Sequence, residues 1–373
     1  MLEELTSLLA DLVGIDSQNP VLVPGAPGEV EVARYVGRWL EDAGFVVEVE
    51  EAAPGRPNVV GVARGSGGGR TLMLNAHMDT VGLGGMEGPL EPRIENGRLY
   101  GRGAYDMKGS LAAILLAARD AAAGGLAGDV VVTAVADEEA ASVGTAAVAA
   151  SRRADGAIVA EPTELQVAVA HRGFVAFELE TVGRAAHGSR PELGIDAIAH
   201  MGYVLAGLHA LDRSLRAEPS HPLLRSGSVH AGVIEGGLEF STYPAKCLLT
   251  GERRTIPGET TDAVLQELVE LLERAGREVA DFEGSARVSF ARDPFEVPDD
   301  DPLVALVKRH AGAADVVGVP FWTDAALLVG AGIPTVVFGP AGEGAHADVE
   351  WVDLASVERC AEVLVAVARE FCA

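Results

Sequence analysis

Short apolar runs of strand length, each closing on a histidine or an acid, recur along this chain and narrow it to a layered α/β fold. One of them, Thr71-Leu72-Met73-Leu74-Asn75-Ala76, reads as a buried strand by its length and flanking glycines, and it delivers His77 and Asp79. Alternate strand residues face the same way, so a carboxylate two positions beyond a strand-end histidine can steer the imidazole. Some thirty residues on lies Gly101-Arg102-Gly103-Ala104-Tyr105-Asp106-Met107-Lys108-Gly109, a glycine-punctuated loop presenting one acid before a helix-forming run from Ser110. On its own Asp106 reads as a helix cap. Beside His77 and Asp79 it reads as a metal ligand.

The runs on either side keep the pattern. Helical spacing marks Leu2 to Val13 and Gly28 to Ala43, and strands follow at Phe45 to Val49 and Asn58 to Ala63, across the turn Pro54-Gly55-Arg56-Pro57. Asp129 to Val135 is a buried strand running into Asp137-Glu138-Glu139, and Asp155 to Ala160 is another, ending at Glu161. Alternating helices and apolar strands predict a layered α/β domain with a largely parallel sheet, and ligands bind at the downstream strand ends of such sheets.

After Arg172 the texture changes. Phe174 to Val182 alternates like a strand with one wet face. Helices are expected at Ile195 to Leu211 and Thr260 to Arg274, and strands at Ser228 to Ile234, Ala245 to Glu252 and Ala286 to Phe290. Four strands with two interposed helices make an α+β insert of split βαβ type. Layered texture resumes beyond Pro294, with helices at Leu303 to His310 and Asp324 to Val329, the strand Thr335 to Phe338, and a closing helix from Leu354 to Phe371. The expectation is a discontinuous catalytic domain, 1–172 with 291–373, interrupted by an inserted domain at 173–290.

Composition excludes several functions. A formal net charge of −26 argues against nucleic acid and anionic membrane surfaces, both of which call for basic clusters. No charge-free run of membrane-spanning length occurs, and the acidic Met1-Leu2-Glu3-Glu4 start lacks the basic character of an export signal. Cys247, Cys360 and Cys372 have neither metal nor disulfide spacing and fit a reducing cytoplasm.

The last apolar strand is followed by a glycine-rich loop, residues 339 to 345, leading to His346. The strand-end polar set is then His77, Asp106, Glu138, Glu139, Glu161 and His346. Two imidazoles with carboxylates and no cysteine suit Zn²⁺, Co²⁺ or Mn²⁺. The ligand count fits two ions sharing one carboxylate, leaving Glu138 or Glu139 for proton work.

These motifs resemble those of the M20 family of co-catalytic zinc amidohydrolases. The likeness runs from His77-Met78-Asp79 to His346 and Glu350-Trp351-Val352, and it includes the insert. It implies a zinc-aminopeptidase-like three-layer catalytic domain with an inserted ferredoxin-like α+β lid and dimerisation domain, and hence a homodimer. Two Zn²⁺ per subunit are implied, His77 and Glu161 holding one, Glu139 and His346 the other, with Asp106 bridging through a residue whose peptide bond to Met107 is cis. Asp79 would orient His77, and Glu138 would be the general base.

Within the insert, His187 matches the histidine that in relatives stabilises the oxyanion in the partner subunit's site, and Arg254 matches an arginine that clamps a substrate carboxylate. The alternative for Arg254 is a surface ion pair with Glu252 or Glu259. His171, His200, His209, His221, His230 and His310 match no site position. Ser241 stands where relatives carry asparagine. The implied reaction removes the acyl group of a small N-acyl amino acid, of acetylornithine deacetylase type and hence arginine biosynthesis. Ala160-Glu161-Pro162-Thr163 is common to that branch and the succinyl-diaminopimelate desuccinylases. Desuccinylase, aminoacylase, dipeptidase or carboxypeptidase, and formyl-aminopyrimidine deformylase activities share the motifs, and a catalytically silent binding module is the alternative from another class.

Overall fold

The computed structural model describes residues 1–312 and 315–373. The chain forms two compact units, one of Met1–Val169, Val297–Val317 and Thr323–Ala373, the other of Ala170–Glu296 and Gly318–Trp322.

The first unit is organised by a mixed sheet. Its strands lie in the order Val46–Ala53, Arg56–Ala63, Val130–Val135, Leu72–His77, Gly156–Val159, Thr335–Val337, Val167–His171. Only the middle of this array is parallel: Leu72–His77 pairs in parallel with both Val130–Val135 and Gly156–Val159, and Thr335–Val337 runs parallel to Gly156–Val159. The outer pairings are antiparallel, so the sheet is mixed where a largely parallel one was expected. The pair joined across Pro54-Gly55 is a hairpin, antiparallel by construction, while the other two antiparallel pairings join strands far apart in the chain, whose direction no local signal sets.

Burial follows the position of each strand. Every residue of Leu72–His77, Val130–Val135 and Gly156–Val159 is buried, as continuous apolar runs require when helices cover both faces. Gly109–Ala122 packs on this centre and against the closing helix Leu354–Phe371, while Val143–Ser151 packs against Ala325–Gly330. The closing helix starts where Asp353 accepts a hydrogen bond from the Ser356 N–H, a cap worth about 1 kcal/mol.

The parallel trio has one consequence for function. Its register sets His77 beside Val135 and Asn75 beside Val159, so the chain leaves all three strands at the same edge. His77, Glu138-Glu139 and Glu161 emerge there together.

A small antiparallel sheet completes this unit, in the order Gly342–Glu343, Trp351–Asp353, Arg98–Tyr100, Arg93–Glu95. None of these strands exceeds three residues, too short for a two-residue period to be seen in the sequence. The pairing of Gly342 with Val352 closes the loop that carries His346.

The second unit runs strand Gly173–Val182, helix Ala197–Ala217, strands Ser228–Gly236 and Lys246–Thr255, helix Thr261–Glu278, strand Glu283–Arg292. Its sheet is antiparallel throughout, in the order Ser228, Lys246, Gly173, Glu283 by first residue, which is the ferredoxin-like βαββαβ arrangement. Gly173–Val182 alternates buried with half-buried residues, and Val175, Phe177 and Leu179 pack with Met201, Val204 and Leu208 of one helix and Val264, Leu268 and Leu271 of the other.

Ile158 is wholly buried in a strand flanked by parallel partners on both sides. Ile158→Ala is expected to lower unfolding free energy by about 2–5 kcal/mol, seen as a reduced urea midpoint with an unchanged slope.

Candidate metal and active site

His77 closes its strand with 1% of its surface exposed. Its Nδ1 lies 2.9 Å from the backbone carbonyl oxygen of Asp79. A carbonyl only accepts, so Nδ1 carries a proton, and Nε2 is the ring nitrogen that faces the cluster. Around Nε2 stand Asp106 Oδ1 at 3.1 Å, Glu161 Oε1 at 3.8 Å and Glu138 Oε2 at 4.0 Å. On the far side of Asp106, Oδ2 is 3.4 Å from His346 Nε2, which lies 2.9 Å from Glu139 Oε2. One carboxylate therefore sits between the two imidazoles, with one oxygen towards each. His77, Glu138 and Glu161 present ligand atoms within 4.8 Å of one another, as do His77, Asp106 and Glu139.

The turn presenting Asp106 spans Ala104–Lys108, and the Asp106–Met107 peptide bond is cis. Gly103 enters it at a φ of 76°, where a Cβ would come within 2.6 Å of Thr80 Cγ2. Glu350 holds the turn from outside. Its Oε1 accepts the N–H groups of Tyr105 at 2.9 Å and Asp106 at 3.1 Å, and its Oε2 accepts the Gly103 N–H at 3.0 Å and Arg102 Nη1 at 2.8 Å. In the sequence Glu350 stood out only as part of a motif, because a carboxylate that serves backbone donors has no spacing signature.

Glu138 and Glu139 open a turn rather than continuing an extended strand. They still diverge, Glu138 towards His77 and Glu139 towards His346. Asp79 fixes this turn more directly than it fixes His77. Its carboxylate approaches Nδ1 only to 3.6 Å, while Oδ1 accepts the Glu138 N–H at 3.1 Å and Oδ2 the Glu139 N–H at 3.2 Å. The expected steering of the imidazole thus comes from the Asp79 carbonyl, with the carboxylate adding charge.

Electrostatics describe a cluster short of positive charge. Burial, with repulsion from Glu161, raises the Glu138 carboxyl well above its usual range, and burial with repulsion from Asp106 does the same to Glu161. Burial and the Asp106 charge push Glu139 up to about 7. Burial opposes the charged form of His77, yet its hydrogen bond to Asp106 and the charges of Glu161, Asp79 and Glu138 raise it well above the ordinary value. Hydrogen bonds to Asp106 and Glu139 push His346 up to about 10. Asp324, buried and paired with Thr145 at 2.6 Å, is pushed up to about 6 by burial.

The residues fit divalent cations. The donors are imidazole nitrogens and carboxylate oxygens, the set suited to zinc, cobalt or manganese. Glu139 Oε1 is buried without a hydrogen-bond partner, and such an atom is costly to hold unless something positive meets it. Cys247, Cys360 and Cys372 are buried, free and no part of this set.

His187 and Arg254 belong to the second unit. His187 is bridged to Thr242 and its Nδ1 lies 2.8 Å from Ser189 Oγ. Arg254 donates from Nε to Glu252 at 2.6 Å and stacks over Phe174 at 5.2 Å, so the expected alternative, an ion pair with Glu252, forms in this structure. Ser241 Oγ bonds Glu239 at 3.1 Å. Of the remaining histidines, His171 stacks on Phe295 and Trp322, and His221 bonds Glu296.

Comparison with known proteins agrees with this geometry. Residues 73–370 match the model of peptidase family M20/M25/M40. The acetylornithine deacetylase of Myxococcus xanthus is 32% identical over 382 residues, covering 100% of this chain and 98% of that protein. That of Proteus mirabilis is 32% identical over 351 residues, covering 90% and 89%. Among solved structures, an aminopeptidase from Bacillus cereus superposes with a TM-score of 0.80 at 21% identity over 100% of this chain and 99% of that one, and a Staphylococcus aureus tripeptidase with 0.82 at 19% identity over the same shares. This chain belongs to peptidase family M20/M25/M40 and is a metal-dependent amidohydrolase.

Proposed function

We propose that the chain is a dinuclear zinc deacylase that removes the acyl group from the amine of a small amino acid derivative bearing a free carboxylate, N-acetylornithine first among them. The observation that carries this reading is Asp106, one oxygen towards each imidazole, with Glu161 beside one histidine and Glu139 beside the other. The similarity to acetylornithine deacetylases over nearly the whole chain supports the substrate class.

In this reading His77 and Glu161 would hold one ion and Glu139 and His346 the other, with Asp106 available to both. When bound, the ions lower the pKa of water towards neutrality and polarise the scissile carbonyl. Glu138 takes the proton of the attacking water and returns it to the departing amine, a role open to a carboxylate that faces His77 without serving as a ligand in this reading. The Asp79 hold on the Glu138 N–H keeps that base in place. Arg254 exchanges Glu252 for the substrate carboxylate, which its planar fork meets with two parallel bonds. His187 stabilises the oxyanion in the partner subunit's site, with the 339–345 loop beside it.

A homodimer formed through the second unit is supported by its exposed apolar residues: Val233 and Ile234 on the edge strand, and Leu238 and Phe240, which stand fully in solvent. Three free buried cysteines support a reducing, cytoplasmic setting.

Amine release from N-acetyl, N-formyl, N-succinyl and dipeptide substrates, with zinc, cobalt and a chelator control, tests acyl preference and metal dependence together. Activity is expected on N-acetyl amino acids, lost with chelator and restored by zinc. Hydrolysis confined to dipeptides would overturn the deacylase assignment.

Glu138→Gln is expected to keep its zinc, measured by metal analysis after gel filtration, while kcat falls at least about 100-fold, the usual contribution of a proton-transfer group. Arg254→Lys is expected to raise KM by about 10–100-fold with a smaller change in kcat, since a bidentate charged contact becomes a single one. For the dimer, mixing His187→Ala with Glu138→Gln subunits is expected to regain activity through heterodimers; a mixture as inactive as its components would place His187 outside the partner's site.

A further inference from the structure

One amide side chain in the N-terminal segment touches the machinery without belonging to the ligand set. Asn19 is fully buried, and its Nδ2 donates to two carboxylates at once, Asp79 Oδ2 at 2.7 Å and Asp137 Oδ1 at 3.0 Å. Its Oδ1 accepts the Val21 N–H at 2.9 Å, so the amide orientation is determined by its partners. The segment is anchored to the chain beyond the His77 strand, with the Asn19 N–H on the Thr80 carbonyl at 2.8 Å and the Thr80 N–H on the Ser17 carbonyl at 3.0 Å.

Both carboxylates act on the turn that carries Glu138 and Glu139. Asp79 accepts the two backbone N–H groups of that pair. Asp137 precedes it directly, sits at a φ of 71° where non-glycine residues are rare, and is held there by several hydrogen bonds, three of them from side chains. Arg56 Nη1 reaches its Oδ1 at 2.7 Å, and its own N–H is held by Glu29 at 3.2 Å, the same acid that pairs with Arg56. The third hold is Asn19. Two buried carboxylates side by side repel each other, and among the described residues the two N–H donors of this one amide bridge them.

We propose that Asn19 is a positioning residue for this reaction: by bridging Asp79 and Asp137 it sets the Glu138–Glu139 turn, and through it the placement of both the general base and a metal ligand. The inference rests on the dinuclear deacylase reading above. It differs from a role in His77 orientation, because the imidazole proton goes to a backbone carbonyl that Asn19 does not touch.

The test compares wild type with Asn19→Asp, isosteric but with oxygen in place of both donors, and Asn19→Ser, which leaves room for a water to bridge the carboxylates if Asn19→Asp does not fold. Three quantities are read on each full-length protein: the melting temperature without metal, the zinc dissociation constant by competition with a chromophoric chelator, and kcat and KM on the best substrate. Leu364→Ala, a buried change in the closing helix, serves as the stability control. Zinc affinity about 10–100-fold weaker and kcat lower by a similar factor, with KM within about threefold, are expected for the Asn19 variants. Leu364→Ala is expected to lose comparable thermal stability while keeping both parameters. Asn19 variants that melt lower yet keep zinc affinity and kcat within twofold of wild type would make Asn19 purely structural and overturn the proposal. Wild type that takes up no divalent metal would instead sink the deacylase reading, and the role of Asn19 with it.

Discussion

Crowding of buried carboxylates around two imidazoles is the constraint to which the rest of the catalytic unit answers. Asp79, Asp106, Glu138, Glu139, Glu161 and Asp324 converge on one strand edge, and several are pushed towards their protonated forms by burial and by one another. Such a cluster is tolerable only if cations or fixed donors meet each oxygen. Glu139 Oε1 is left without a hydrogen-bond partner, whereas the Asp79 oxygens are met by backbone N–H groups and Asn19, and the acids flanking the cluster, Asp137 and Glu350, are met by Arg56 and Arg102.

That division explains the form of the scaffold. Three parallel strands bring their ends into register, and no single one of them carries enough ligands alone. Two loops from elsewhere supply the remaining groups, and each is held by a small device: Glu350 gathers three N–H groups of the Asp106 turn, and the short Gly342 to Val352 pairing closes the His346 loop. Rigid strands set the coarse position of the ligands, and hydrogen bonds to backbone set the fine one.

The hydrolytic roles proposed for this site rest on local surroundings rather than residue type. Glu138 and Glu139 are chemically identical neighbours. One faces His77 and Glu161 in the deeper part of the cluster, the other faces His346, a more exposed imidazole. Adjacent positions in a pinned turn give two acids two different tasks, provided the turn does not move.

How much of this could be read from the chain itself depended on whether a signal was local. Apolar runs ending in His77, Glu138-Glu139 and Glu161 reported the strands, their burial and the ligand-bearing ends, because a parallel strand covered on both sides must be continuously apolar. The alternation in Gly173–Val182 likewise reported a sheet with one face against helices. Tertiary structure alone decided the mixed direction of the outer strands, the two- and three-residue strands of the small sheet, the shift of imidazole steering from the Asp79 carboxylate to its carbonyl, and the placement of Glu350, Asn19, Asp137 and Asp324. Those groups act on partners far away in the chain, as Asn19 does on Asp137, through single hydrogen bonds that impose no period and no spacing. Pattern in a sequence records what a segment buries; only the folded chain determines which distant donor meets which buried acid.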